Sequence, residues 1–200
     1  MSGKISRMNG LASAFSPSQT VPSQGRKTKA MTLLLRSLPL LALAFLATGC
    51  GTETTTKPSF YENLASPEAK VDGAAAASMI SDYRRNNSLG GVEIDPTLTR
   101  MAEDHARAMA KLDKVTHDPG GRGLKQRLQA VSFNAKAAAE NVGAGYQTLA
   151  EAFSGWRDSP SHNKNMLMPT VTKMGIATAY APKSKYKVYW ALVLAEPDER

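Results

Sequence analysis

One cysteine, three histidines and no acidic residue before Glu53 are the scarcities that shape this 200-residue chain. A single thiol, Cys50, excludes an intramolecular disulfide, so any folded part must be held by its core alone. The longest apolar run, residues 38–47, is shorter than the roughly 20 residues needed to cross a bilayer. No Gly-x-Ser-x-Gly turn and no His-Glu-x-x-His helix is present, which excludes the hydrolase chemistries those motifs serve. Positive charge is plentiful only where it says least. Six of the 25 basic residues and none of the 17 acidic residues precede Cys50, which leaves 19 against 17 and a net charge of +2 from there on. The basicity belongs to the N-terminal segment, and no nucleic-acid partner is expected.

What is there begins with residues 31–50, where Arg36, the apolar run and the small residues Ala47-Thr48-Gly49 close on Cys50. This is the build of an export signal with a lipid attachment point. It resembles a bacterial lipobox, with the leucine one place early at Leu46. The first thirty residues read either as a long basic leader or as sequence ahead of an initiator at Met31. The expected organisation is a leader and lipoprotein signal over 1–49, a flexible tether over 50–69, and one domain over 70–197. The tether reading rests on the Thr-rich polar stretch after Cys50, which lacks apolar area to bury. Gly51 after the cysteine lacks the aspartate that by habit retains such proteins at the inner membrane, so the expected address is extracytoplasmic, at an outer membrane if there is one.

Within the domain, apolar spacing predicts a helix over 74–87, with Arg84 and Arg85 complementing the dipole at its end. Asp95-Pro96 reads as an N-cap followed by proline at the first helical position. The helix it opens carries Leu98, Met101, Ala102, His105, Met109 and Leu112 on one face. A loop is expected over 114–123, a short helix over 124–131 and a strand over 137–145, where Gly143 and Gly145 punctuate a β-branched Val142. A helix over 148–156 and two strands over 174–180 and 186–194, joined as a hairpin, complete the reading. Its last strand begins alternating and ends apolar, as one buried on both faces would. Helices followed by a terminal hairpin make the class α+β.

Chemistry-bearing residues are few. His117 lies in a turn-rich loop. Glu140 is the one charge between Lys136 and Glu151, among alanines, where burying a carboxylate unpaired would be costly. His162 follows Ser159-Pro160-Ser161. His105 sits on an apolar helix face and is expected to be a satisfied core imidazole or a group behind the site. Trp156 and Trp190 are expected to be packing anchors. Asn141 is expected to fix backbone beside Glu140, and Asn165 to do the same near His162.

In order along the chain, Tyr83-Arg84-Arg85, His105-Ala106, Met109-Ala110, Thr116-His117, Ala139-Glu140-Asn141-Val142, Trp156, Ser159-Pro160, His162, Asn165-Met166-Leu167, Gly175-Ile176-Ala177 and Tyr189-Trp190 resemble the bacterial branch of the CAP superfamily. That superfamily comprises cysteine-rich secretory proteins, antigen 5 and pathogenesis-related proteins. The resemblance implies an α-β-α sandwich, a small antiparallel sheet flanked by helices. It also implies a cleft of histidines and acids that in some members holds a divalent metal. By position, His117 matches the loop histidine and Glu140 the glutamate. Ser159 stands where many members have a second glutamate, and His162 belongs to the bacterial Ser-Pro-x-His motif.

The resulting expectation is that His117, Glu140 and His162 converge as ligands of a divalent metal, zinc by their type. Asn141 and Ser159 would add ligand contacts; Met166, Leu167 and Met168 read first as core at their spacing and second as an apolar part of the cleft. The function expected is a non-enzymatic module, tethered to a membrane through lipidated Cys50, that binds a metal, a small apolar or lipidic ligand, or both. Two other readings stay open. One is a metal-assisted hydrolase of peptide or cell-wall material with Glu140 as general base. The other is an envelope scaffold with no ligand.

Overall fold

The computed structural model describes residues 57–198. The expected leader, Cys50 and the start of the tether lie outside the described residues. Element order is α1 (Gly73–Asn86), β1 (Glu93–Ile94), α2 (Pro96–Leu112), α3 (Leu124–Ala130), β2 (Ala135–Ala144), α4 (Leu149–Asp158), α5 (Pro160–Met166), β3 (Lys173–Ala181) and β4 (Lys187–Pro197), with short 3₁₀ turns at Ser59–Tyr61 and Pro119–Gly121. Local chemistry sets the helix starts. Asp72 caps α1 by accepting from the amide of Ala75. Asp95 accepts from the amides of Thr97 and Leu98, with Pro96 at the first position of α2. At α4, the Thr148 hydroxyl accepts from the Glu151 amide while the Glu151 carboxylate accepts from the Thr148 amide. The expectation contained no helix at α5; Pro160 starts it rather than merely breaking α4.

The four strands form one sheet in the order β1-β3-β4-β2. The three long strands are antiparallel, as expected. The two-residue β1 pairs in parallel with the start of β3, which makes the sheet mixed. It is too short to carry a periodicity, so sequence could not announce it.

Strand β4 is the centre of the molecule. Val188, Trp190, Leu192 and Leu194 enter one core with Ile80 of α1, Trp156 of α4 and Met166 of α5. Tyr189, Ala191, Val193 and Ala195 enter a second core with Leu98, Met101 and Met109 of α2 and Leu128 of α3. Residues alternating between two fully covered faces make a three-layer sandwich, each buried Val or Leu contributing about 1.5–3 kcal/mol. Small residues on the second face let α2 lie close. A Cβ on Gly175 would collide with the backbone of Leu98 and Thr99, so glycine is required there. Trp156 and Trp190 meet edge to face at 6.1 Å, as packing anchors do.

Three expectations are corrected. The expected tether ends earlier than residue 69: Leu64 is buried at 3% exposure, and its amide donates to the Gln147 carbonyl at 2.8 Å. Its composition resembles a linker, but one leucine in the right place anchors it. Arg84 does not lie at the surface complementing a dipole; it is fully buried. Its guanidinium donates to the carbonyls of Gly90, Met166, Met168 and Val171 at 2.7–3.0 Å, which ties α1 to the segment leaving α5. Burial pushes its pKa down. Leu112, at the frayed end of α2, is 55% exposed instead of buried. Met166 is core, as the first reading of its spacing has it, and Met168 packs against the same core.

Candidate functional site

Glu140 faces α2 from the middle of β2 and is 5% exposed. An unpaired carboxylate there would be strongly disfavoured. Three groups from three different segments meet it. Arg127 of α3 donates from Nη2 to Oε2 at 2.5 Å, and His117, in the loop between α2 and α3, places Nδ1 2.9 Å from Oε1. The His105 ring, on α2, lies with Nδ1 3.1 Å from Oε2. Burial pushes the Glu140 carboxyl up, and the hydrogen bonds from His105 and Arg127 with the Arg127 charge outweigh it, so the group lies below its ordinary value. It is therefore an anion at neutral pH.

The hydrogen bonds assign the rings. His105 Nε2 is 2.8 Å from the Thr116 carbonyl, which only accepts, so Nε2 carries a proton. His105 Nδ1 lies between Arg127 Nη1, at 2.8 Å, and Glu140 Oε2, at 3.1 Å. Arg127 also donates from Nη2 to the carbonyl of His117 at 3.3 Å. His105 and Arg127 thus grip the backbone of Thr116 and His117, and they fix a loop that has no secondary structure of its own. His117 donates Nδ1–H to Glu140, and its side chain is 62% exposed, with no protein partner for Nε2 among the described residues. The result is a charged, buried carboxylate orienting an imidazole at the surface.

The second imidazole comes from α5. The Ser159 hydroxyl bonds to His162 Nδ1 at 3.0 Å, which leaves His162 Nε2 free of a protein partner among the described residues. Burial, and then the nearby His117 charge, hold its pKa below the usual histidine value. Two asparagines stitch α5 to β2, and they work crosswise to the expectation. Asn141 donates to the carbonyl of His162 at 3.0 Å, while Asn165 donates to the carbonyl of Glu140 at 3.0 Å and to Asn141 Oδ1 at 2.9 Å. Each fixes the backbone of the other's neighbour, so the two ligand-bearing segments are locked together.

Folding therefore gathers His117 with Glu140 and sets His162 within electrostatic reach of His117. It does not assemble a three-ligand metal centre. Among the described residues no group of three or more His, Cys, Asp or Glu side chains is placed to hold a metal ion. Glu140, the one anion of the expected set, already has its charge matched by Arg127. The donor chemistry therefore does not fit the zinc site the resemblance implies. Arg127 is the residue that sequence reasoning missed. Its exposed neighbours Lys125 and Gln126 give α3 a solvent-facing look, and nothing local marks the arginine as the counter-charge of a glutamate thirteen residues on.

Residues 77–194 match the family model of CAP, the Cysteine-rich secretory protein family. The chain belongs to the CAP family. An uncharacterized protein of Bacillus subtilis, YkwD, is 28% identical over 125 residues, which cover 62% of this chain and 47% of that protein. An uncharacterized protein of Borreliella burgdorferi is 24% identical over 141 residues, 70% of this chain and 84% of the relative. Among solved structures, an outer surface protein of Borrelia burgdorferi matches with a TM-score of 0.55 at 23% identity, covering 65% of this chain and 98% of that one. An extracellular SCP-domain protein of Bacillus anthracis matches with a TM-score of 0.54 at 22% identity, covering 62% of this chain and 39% of that one. This CAP chain thus spans about half the length of the Bacillus subtilis relative, and its sandwich is the fold of the solved SCP domains.

Proposed function

We propose that this CAP protein is an extracytoplasmic, membrane-tethered binding module without catalytic activity, and that it takes a small ligand between His117 and His162. The address is supported by the signal-like segment ending at Cys50, by the secretory name of the family and by relatives named as extracellular and outer surface proteins. One observation carries the ligand reading: a buried, arginine-balanced Glu140 holds the exposed His117 by Nδ1, and Nε2 has no protein partner among the described residues. Orientation of that kind is what a hydrogen-bonding site needs. His117 and His162 would grip a polar group of the ligand through Nε2, while Asn141 and Ser159 hold the two rings in place. Met166 belongs to the core and Met168 packs against it, so a polar head group is the recognised feature rather than an apolar tail.

The hydrolase reading is disfavoured by the same geometry. Both oxygens of Glu140 are engaged, and a carboxylate held below its ordinary pKa is a weak general base. The full chain, purified without chelators, is expected to hold less than one zinc per chain by elemental analysis. A screen of small polar and lipidic molecules by NMR is expected to yield compounds that move the ring resonances of His117 and His162 together and lose affinity in His162→Ala. Stoichiometric metal lost in His117→Ala, or Glu140-dependent release of fragments from peptidoglycan, would replace this reading.

A further inference from the structure

The outer edge of β2 is open along half its length. Backbone direction alternates along a strand. The Gly145 amide donates to the Val188 carbonyl at 3.0 Å, so Gly143, Asn141 and Ala139 address β4 in the pairs Gly143↔Trp190, Asn141↔Leu192 and Ala139↔Leu194. Ala138 and Glu140 therefore turn their backbone groups outward, where β2, as the last strand of the sheet, has no neighbour. Asn165 takes the Glu140 carbonyl at 3.0 Å. The amide and carbonyl of Ala138 and the amide of Glu140 have no partner among the described residues. A register shift between Ala135 and Ala137 leaves Lys136 as an extra residue and ends regular pairing there.

This edge borders a groove of about 480 Å³ between β2 and α3. Leu124, Leu128, Phe133 and Ala138 supply the apolar part of its lining beside the polar Gln129 and Asn134, and Lys125 and Lys136, both exposed, stand along it with no ion pair among the described residues. The one acid in its lining is Asp198, at the end where the Asp198 amide donates to the Asn134 carbonyl. We propose that this groove binds an extended, acidic peptide segment as an added strand on β2. An edge with free amides and carbonyls is a template for a further strand. Main-chain bonds to Ala138 fix the peptide's register. Alternate side chains then fall on Leu128 and Phe133, while those between them reach the lysines. The charge of the lysines selects acidic over basic sequences. The site is separate from the histidine cleft and stands whether or not that cleft holds a ligand.

The probe is an N-acetylated, C-amidated tetrapeptide of alternating glutamate and valine, titrated into the full chain and followed by backbone NMR. Saturable shifts are expected at Lys125, Leu128, Phe133 and Ala138. Affinity is expected to fall at least tenfold for the lysine–valine counterpart, for a peptide N-methylated at its valines, and for the folded double variant Lys125→Glu/Lys136→Glu. His117→Ala is expected to leave it unchanged. Equal binding of the acidic and basic peptides, indifference to N-methylation, or absence of saturation at millimolar peptide would overturn the proposal. Loss of binding in His117→Ala with Lys125→Glu/Lys136→Glu unaffected would also overturn it, by moving the peptide to the histidine cleft.

Discussion

Arg127→Met tests whether the Glu140 cluster is the ionic centre described above. The substitution keeps most of the apolar stem of the side chain but removes the charged guanidinium. It leaves a carboxylate with 4% side-chain exposure facing two imidazoles. Breaking a buried pair by deleting one partner costs about 3–5 kcal/mol. For a domain of this size the corresponding fall in Tm is on the order of 10 °C. The pH dependence follows from the sign of the shift. In the native protein the Glu140 carboxyl lies below its ordinary value of 4.5, so its contribution is complete above about that pH and fades as pH falls through the lower folded value. In the variant, burial without the arginine raises the carboxyl above its ordinary value. The deficit should then be largest at pH 7 and shrink as the buried group takes up a proton. Chemical denaturation at pH 7 and pH 5 measures both effects, and Arg127→Met/Glu140→Gln is expected to recover much of the loss. A deficit under about 1 kcal/mol at pH 7, the size of an exposed pair, would refute the reasoning. So would a deficit that does not change with pH, or a double variant no more stable than the sum of its parts.

Three further outcomes are expected. Arg84→Met strips donors from four carbonyls, those of Met166 and Val171 buried, and should destabilise by about 3 kcal/mol or more by denaturant titration, with Arg84→Lys recovering little because a single ammonium lacks the fork geometry. Gly175→Ala forces β3 and α2 apart and should lower stability by roughly 3 kcal/mol with intact secondary structure by circular dichroism. His162 should titrate below the ordinary histidine value of 6.5 by NMR, and His117→Ala should raise its midpoint by removing the neighbouring charge. Because the folded state holds that proton less tightly than the unfolded chain, His162 contributes a loss of stability as pH falls below about 6.5. An unchanged His162 midpoint in His117→Ala would show that the two rings do not sense each other.

The elements legible in the sequence are those whose signal is local. Asp95-Pro96 starts α2 because the cap and the fixed proline φ act within one turn. Leu98, Met101, Ala102, His105 and Met109 fall on one buried face because the 3.6-residue period is set by the helix itself. The apolar character of β4 announced burial on both faces, and Glu140 among alanines announced a charge in need of a partner. The two-residue β1, the buried role of Arg84 and the anchoring of Leu64 carried no local pattern. Each depends on what the rest of the chain places around it.

By itself, then, the sequence determined the family and the α-β-α layering, since periodicity, caps and motif order are properties of short stretches. Only the tertiary structure decided what neutralises Glu140. The choice between a metal ion and Arg127 rests on Coulomb energy at about 3 Å in a water-poor interior, and that distance exists only once α2, α3 and β2 have packed.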